Sequence, residues 1–144
     1  MAQPEQMDLL VFLVEDNPAD VFLVRSALRD EGLKFQLQVV EDGEKAIEAL
    51  KQVDADTDSP CPNVLLLDLN LPKRMGEEVL ETVRRSPRSG GIPVVVMTSS
   101  ESPDDRMRAF ELGATEYFRK PSNLDEFMRI GKVVKRLCAR GAAA

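Results

Sequence analysis

Apolar positions along this chain form two alternating kinds of segment. Leu9–Val14 (LLVFLV), Val64–Leu67 (VLLL) and Val94–Met97 (VVVM) are continuous apolar runs. Short runs without a polar face suit strands buried on both sides, as in a parallel sheet covered by helices. Phe35–Val40 differs, because Phe35, Leu37 and Val39 alternate with Gln36 and Gln38. That alternation fits an edge strand with one wetter face. Ala114–Arg119 (ATEYFR) is short and mixed and reads as the other edge.

Helical patterns fill the intervals. Asn17-Pro18 supplies an N-cap and a proline at the first helical position, followed by Val21, Val24 and Leu28 on one face. The stretch after Asp42-Gly43 carries Ala46, Ile47 and Leu50, and the one after Gly76 carries Val79, Leu80 and Val83. Ser102-Pro103 opens a short fourth helix with Asp105 in its first turn, and Gly113 is placed to end it. Ser122 or Asn123 opens the last helix, with Phe127, Ile130, Val134 and Leu137 on its stripe. The alternation predicts an α/β protein of (βα)5 type, a five-stranded parallel sheet with helices on both faces. Right-handed crossovers leave few topologies. Edge-like second and fifth strands agree with the order 2-1-3-4-5 of doubly wound, flavodoxin-like sheets. Residues 8–140 are expected to form one domain, with a disordered N-terminus over 1–7, a polar loop over 54–62 and a frayed tail over 141–144.

Composition narrows the function. The formal net charge is −6, and a nucleic-acid binder normally carries a basic balance. The expectation is therefore no nucleic acid and no anionic membrane as partner. No apolar run approaches the roughly 18 residues of a membrane span, and residues 1–7 lack the features of a secretory signal, so a cytoplasmic protein is expected. Histidine is absent, which removes Ser-His-Asp and Cys-His catalysis and His-ligated zinc. The two cysteines, Cys61 and Cys138, are too few for a zinc cluster and read as reduced thiols.

The positions of a few polar residues carry more. Glu15 and Asp16 follow the first predicted strand, Asp68 ends the third, Thr98 ends the fourth and Lys120 follows the fifth. Ligands of open α/β sheets bind outside the carboxyl ends of the strands, so four strands aim polar groups at one place. Three carboxylates there repel, and need a cation or raised pKa values. All-oxygen ligands favour a hard divalent ion such as Mg²⁺. With the Lys120 ammonium and the Thr98 hydroxyl, the cluster makes a receptor for a phosphoryl group. A carboxylate nucleophile in such a receptor forms an aspartyl phosphate.

Four motifs, V-E-D-N (14–17), L-L-D-L-N-L-P (66–72), V-V-M-T-S-S (95–100) and Y-F-R-K-P (117–121), occur in order. Through them the chain resembles the receiver domain of two-component response regulators over residues 7–139. The resemblance implies that Asp68 is the phosphoacceptor. It implies that Glu15 and Asp16, with Asp68 and the backbone carbonyl of Asn70, hold Mg²⁺ or Mn²⁺, directly or through water. It makes Thr98 the hydroxyl that follows the phosphoryl group, Lys120 the partner of a phosphoryl oxygen, Tyr117 the aromatic switch, and Lys120-Pro121 a cis peptide. Glu15 stands where Asp is commoner, and Arg74 and Met75 replace the second Met and the following Asp of the family's D-x-x-M-P-x-M-D-G. Those departures touch metal geometry and the neighbouring surface. The segments E-D-N-P-A-D-V-F-L, D-L-N-L-P-K and K-P-S-N-L-D-E-F look like those of the stand-alone regulators of bacterial phytochrome histidine kinases.

Three other readings remain at this point. A haloacid-dehalogenase-like phosphatase would want an acid two residues after the nucleophile, where Asn70 stands. A flavodoxin-like cofactor binder would want a glycine-rich phosphate loop. A docking module with no phosphorylation would not need the full set of acids, Thr98 and Lys120. The favoured reading is a single-domain response regulator that is no enzyme beyond its own phosphorylation and autodephosphorylation. Its expected partners are a sensor histidine kinase and a downstream or phosphotransfer protein. A homodimer through the fourth helix, fifth strand and last helix is also expected, because Asn123–Arg140 holds eight apolar residues, more than one buried face needs.

Overall fold

The computed structural model describes residues 8–69, 71 and 73–142, with only the backbone of 73–75 and 140–142. Strands β1 (Leu9–Val14), β2 (Phe35–Val40), β3 (Val64–Asp68), β4 (Val94–Thr98) and β5 (Glu116–Arg119) pair in parallel in the order β2-β1-β3-β4-β5. Helices α1 (Pro18–Asp30), α2 (Gly43–Ala55), α3 (Lys73–Arg85), α4 (Pro103–Glu111), α5 (Leu124–Phe127) and α6 (Arg129–Ala142) connect and follow them. The central strands β3 and β4 are buried at every position, while β2 alternates between half-buried and exposed over its first four residues.

The two-residue period of the pleat divides the core in two. Val11, Leu13, Val64, Leu66, Val95 and Met97 face α1, α5 and α6. Phe12, Val14, Leu65, Leu67, Val94 and Val96 face α2, α3 and α4. Each helix covers its side with the stripe its sequence carries, for example Val24, Ala27 and Leu28 on α1 and Val79, Leu80 and Val83 on α3.

Several boundaries differ from the sequence reading. Helix α3 begins at Lys73, before Gly76, and β5 begins two residues later than expected. The last helix is broken at Met128 into α5 and α6. At the break, Gly131 N–H bonds back only three residues, to Met128 C=O. Helix α6 then runs to Ala142, so Gly141 and Ala142 are helical rather than a frayed tail; residues 1–7 and 143–144 lie outside the described residues. Of the eight apolar residues offered for a second contact, Phe127, Ile130, Val134 and Leu137 are buried, and Met128, Val133 and Cys138 pack against the same core. Leu124 is the exposed one, at 58%. A homodimer through the expected face would rely on Met107 and Phe110 of α4 instead.

Gly131 is also where α6 meets α1. A Cβ there would strike the Ala27 carbonyl oxygen and approach Glu31 Cγ to 2.9 Å. Alanine normally gains about 1 kcal/mol over glycine inside a helix. Here the overpacking cost of about 1–3 kcal/mol opposes it, and the obstacle is backbone that cannot rotate away. Gly131→Ala should therefore lower the Tm by several degrees in a thermal melt. A raised Tm would show that propensity wins and that the helices separate easily.

Candidate functional site

The carboxyl ends of the strands hold the site, and the pleat decides which side each residue takes. Glu15 extends β1 by one ladder bond, its N–H donating to Val40 C=O at 2.9 Å. Lys120 extends β5 in the same way, its N–H donating to Thr98 C=O at 2.7 Å. Glu15, Asp68 and Lys120 thereby continue the rows that face α1 and α6. Thr98 and Tyr117 continue the rows that face α4.

Lys120 is the centre of the first group. Its ammonium lies 2.7 Å from Glu15 Oε1, 2.7 Å from Asp20 Oδ2 and 3.2 Å from Asp68 Oδ2. The Glu15 and Asp68 residues are each only 1% exposed. Burial lowers the proton affinity of Lys120, but the hydrogen bonds to Asp20 and Glu15 and the charge of Asp68 more than reverse this. The ammonium therefore holds its proton more tightly than an ordinary lysine. Glu15 goes the other way for an acid: burial first, then its hydrogen bond to Asp68, raise its carboxyl pKa to about 7, against the pull of Lys120. Glu15 Oε2 also accepts from Asn17 N–H at 3.2 Å, at the cap of α1.

Glu15, Asp16 and Asp68 each bring a carboxylate oxygen within 4.8 Å of the others. Three hard oxygen donors so close, with Asp16 exposed, can hold a divalent ion that keeps part of its water shell. Asn70, expected to add a carbonyl, lies outside the described residues, as do the side chains of Arg74 and Met75. One expectation is corrected. No cis peptide bond occurs among the described residues, so Lys120-Pro121 is trans. The trans isomer of an X-Pro bond is favoured by about 0.5–1 kcal/mol, and the ladder bond that delivers Lys120 to the site precedes that peptide.

The second group leads away from the site. Thr98 is buried, and its Oγ1 accepts from Ser100 N–H at 3.1 Å. Ser100 Oγ donates to Asp105 Oδ2 at 2.7 Å, in the first turn of α4. Ser102 caps that helix by accepting from Asp105 N–H. Tyr117 donates its hydroxyl to Ser100 C=O at 3.2 Å, and the Arg106 guanidinium lies 5.7 Å from its ring centre. Thr98, Ser100 and Asp105 also line a cavity of about 130 Å³ between α3, β4 and α4.

Sequence reasoning assembled Glu15, Asp16, Asp68, Thr98 and Lys120 but missed Asp20 and Ser100. Asp20 could have been flagged as an acid three residues after an N-cap and only five after Glu15. Ser100 closes the V-V-M-T-S-S motif two residues after Thr98, but its partners lie on α4 and β5.

A profile of the response regulator receiver domain matches residues 11–131. Response regulator Rcp1 of Synechocystis is 39% identical over 121 residues, covering 84% of this chain and 82% of that protein. The phosphorylated cyanobacterial phytochrome response regulator RcpA superposes with a TM-score of 0.79 at 35% identity, over 90% of this chain and 93% of that one. The Mn²⁺-bound form of Rcp1 gives 0.76 at 37% identity, over 88% and 91%.

The raised Glu15 value sets a pH dependence. Folding raises this carboxyl above its ordinary 4.5, so its contribution to stability is fully present below about 4.5 and is lost as pH rises through about 7. A divalent ion competes with that proton. The rise in Tm on adding Mg²⁺ should therefore be larger at about pH 8 than at about pH 6. Glu15→Gln should weaken the rise and remove its pH dependence across that window. An equal rise at both pH values in the wild type would contradict the assignment of Glu15 as a metal ligand.

Proposed function

The chain belongs to the response regulator receiver family and is similar to phytochrome-associated regulators; from that premise we propose that Asp68 accepts a phosphoryl group from a sensor histidine kinase of the bacterial phytochrome type. The observation that carries this reading is the Lys120 ammonium set against Glu15 and Asp68 at the strand ends. An Asp68 carboxylate oxygen attacks the phosphorus of the donor phosphohistidine. A P–O bond forms as the P–N bond breaks, and the leaving imidazole keeps the electron pair and takes up a proton from solvent. Lys120 offers an N–H to a phosphoryl oxygen, replacing its contact with Asp68, and Thr98 offers its hydroxyl to another. A divalent metal held by Glu15, Asp16 and Asp68 supplies neutralisation of charge on the transferred group.

The test is intact-mass measurement after incubation with acetyl phosphate, with and without Mg²⁺. The wild type should gain one phosphoryl group only when Mg²⁺ is present, and Asp68→Asn none. Labelling that persists in Asp68→Asn, once Thr98 and Ser99 are checked as secondary sites, would remove Asp68 as the acceptor. Transfer from a purified phytochrome histidine kinase, compared with an unrelated histidine kinase, tests the partner; equal rates would remove the phytochrome assignment.

The signal then leaves through the α4–β5 surface to a downstream or phosphotransfer protein. The support is the hydrogen-bond chain from Thr98 through Ser100 to Asp105 and Tyr117, beside the cavity under α4. Helix α4 has nine residues and a single buried one, Ala109, so little packing resists its movement. It exposes Met107 at 61% and Phe110 at 40%, an apolar contact for a partner. Thr98→Ala should still be labelled at Asp68 but lose the amide NMR shifts that labelling produces in residues 99–119. Identical shifts in the variant would exclude this route.

A further inference from the structure

The Lys120 ammonium has three N–H donors and no acceptor; it donates to Glu15 and Asp20 and forms an ion pair with Asp68 at 3.2 Å. Two of the three, Glu15 and Asp68, belong to the group close enough to share a divalent ion. One oxygen of each would be taken up by the ion once the site is charged, and one Asp68 oxygen would be consumed in the phosphoryl bond. Asp20 is different. It stands in the first turn of α1 and is not among the metal-sharing carboxylates. Its side chain is only 19% exposed and that of Lys120 only 9%, so solvent screens the contact weakly.

The contact also joins distant parts of the chain, 100 residues apart in sequence. Asn17 fixes the start of α1 by accepting from Ala19 N–H at 2.9 Å, immediately beside Asp20. The Asp20 carboxylate thus sits on a rigid element, whereas Lys120 is a point charge on a flexible four-carbon stem. An acid in the first turn of a helix ordinarily interacts with the helix dipole alone. A 2.7 Å bond to a nearly buried lysine is a second and more specific role.

We propose that Asp20 is a positioning residue for phosphoryl transfer: it retains the Lys120 ammonium at the Asp68 carboxylate when Glu15 turns to the metal. This rests on the reading of Asp68 as the phosphoacceptor. Without Asp20, the ammonium has no fixed partner among the described residues outside the reacting cluster, and its stem samples conformations that point away from the phosphoryl oxygens.

The experiment is a time course of acetyl phosphate labelling at saturating Mg²⁺, read by intact mass. It compares the wild type, Asp20→Ala, Asp20→Glu, Lys120→Ala and the double variant Asp20→Ala/Lys120→Ala. Asp20→Ala should slow labelling about tenfold, within the roughly 100-fold that misplacing a reacting group by about 1 Å can cost. Asp20→Glu, which keeps the charge, should restore most of the rate. In the Lys120→Ala background, Asp20→Ala should add less than about a twofold effect, because the two residues act as one unit. A wild-type rate in Asp20→Ala overturns the proposal. So does the same fold-loss with and without Lys120, which would mean that Asp20 acts through the helix alone. Should Asp20→Ala melt below the assay temperature, Asp20→Asn keeps the shape without the charge and should be slowed in the same direction; a wild-type rate there is equally fatal. Failure of the wild type itself to label would instead remove the reading of Asp68 and is seen before any variant is compared.

Discussion

The structure is arranged around one electrostatic constraint: several carboxylates must share a nearly dry pocket. Two unit charges 4 Å apart repel by about 4 kcal/mol at an effective dielectric near 20. The chain meets this in two ways. Lys120 brings one positive charge into contact with Glu15, Asp20 and Asp68, and burial raises the Glu15 carboxyl pKa to about 7. Both arrangements are provisional. On the proposed reading, the pocket exchanges a proton for a divalent ion and an internal ion pair for a phosphoryl contact. A pocket whose charges were fully settled within the protein would have no reason to take up either.

The pleat of the sheet then separates the polar residues at the strand ends into two groups. Residues of one parity, Glu15, Asp68 and Lys120, lie on the side of α1, which contributes Asp20. Residues of the other parity, Thr98 and Tyr117, lie on the side of α4. Thr98 ends β4 on the α4 side, and its hydroxyl belongs to the hydrogen-bond chain that ends at the first turn of α4. On the proposed route, a change in what Thr98 contacts is passed to the first turn of α4 through these hydrogen bonds.

The opposite end of α4 is held. Arg84, at the end of α3, donates to the carbonyls of Gly113, Gly90 and Ile92 and to Thr115 Oγ1. Gly113 has φ +107, and a Cβ there would come within 2.9 Å of the Arg84 side chain, so both its conformation and its neighbour require glycine. The turn after α4 is pinned by a half-buried guanidinium, while the turn before it is joined by side-chain hydroxyls.

Periodicity was enough for the architecture. Uninterrupted runs such as VVVM and the alternating FQLQV predicted the buried central strands and the wetter β2 edge, because burial on two faces or one leaves a direct imprint on residue choice. The cluster of Glu15, Asp16, Asp68, Thr98 and Lys120 was legible for a related reason: strand ends in a parallel sheet converge, so polarity at that recurring position points to one site. The Met128 break, the early start of α3 and the trans Lys120-Pro121 bond were not legible, since each depends on local backbone energies that neighbouring elements decide. Neither was the pairing of Asp20 with Lys120, nor the role of Ser100. The sequence by itself determined which residues are apolar at which period, and hence the sheet, its layers and the face where chemistry gathers. Only the tertiary structure decided which carboxylates surround the Lys120 ammonium, because contacts between residues 100 positions apart follow from the packing of α1 against the sheet rather than from any local pattern.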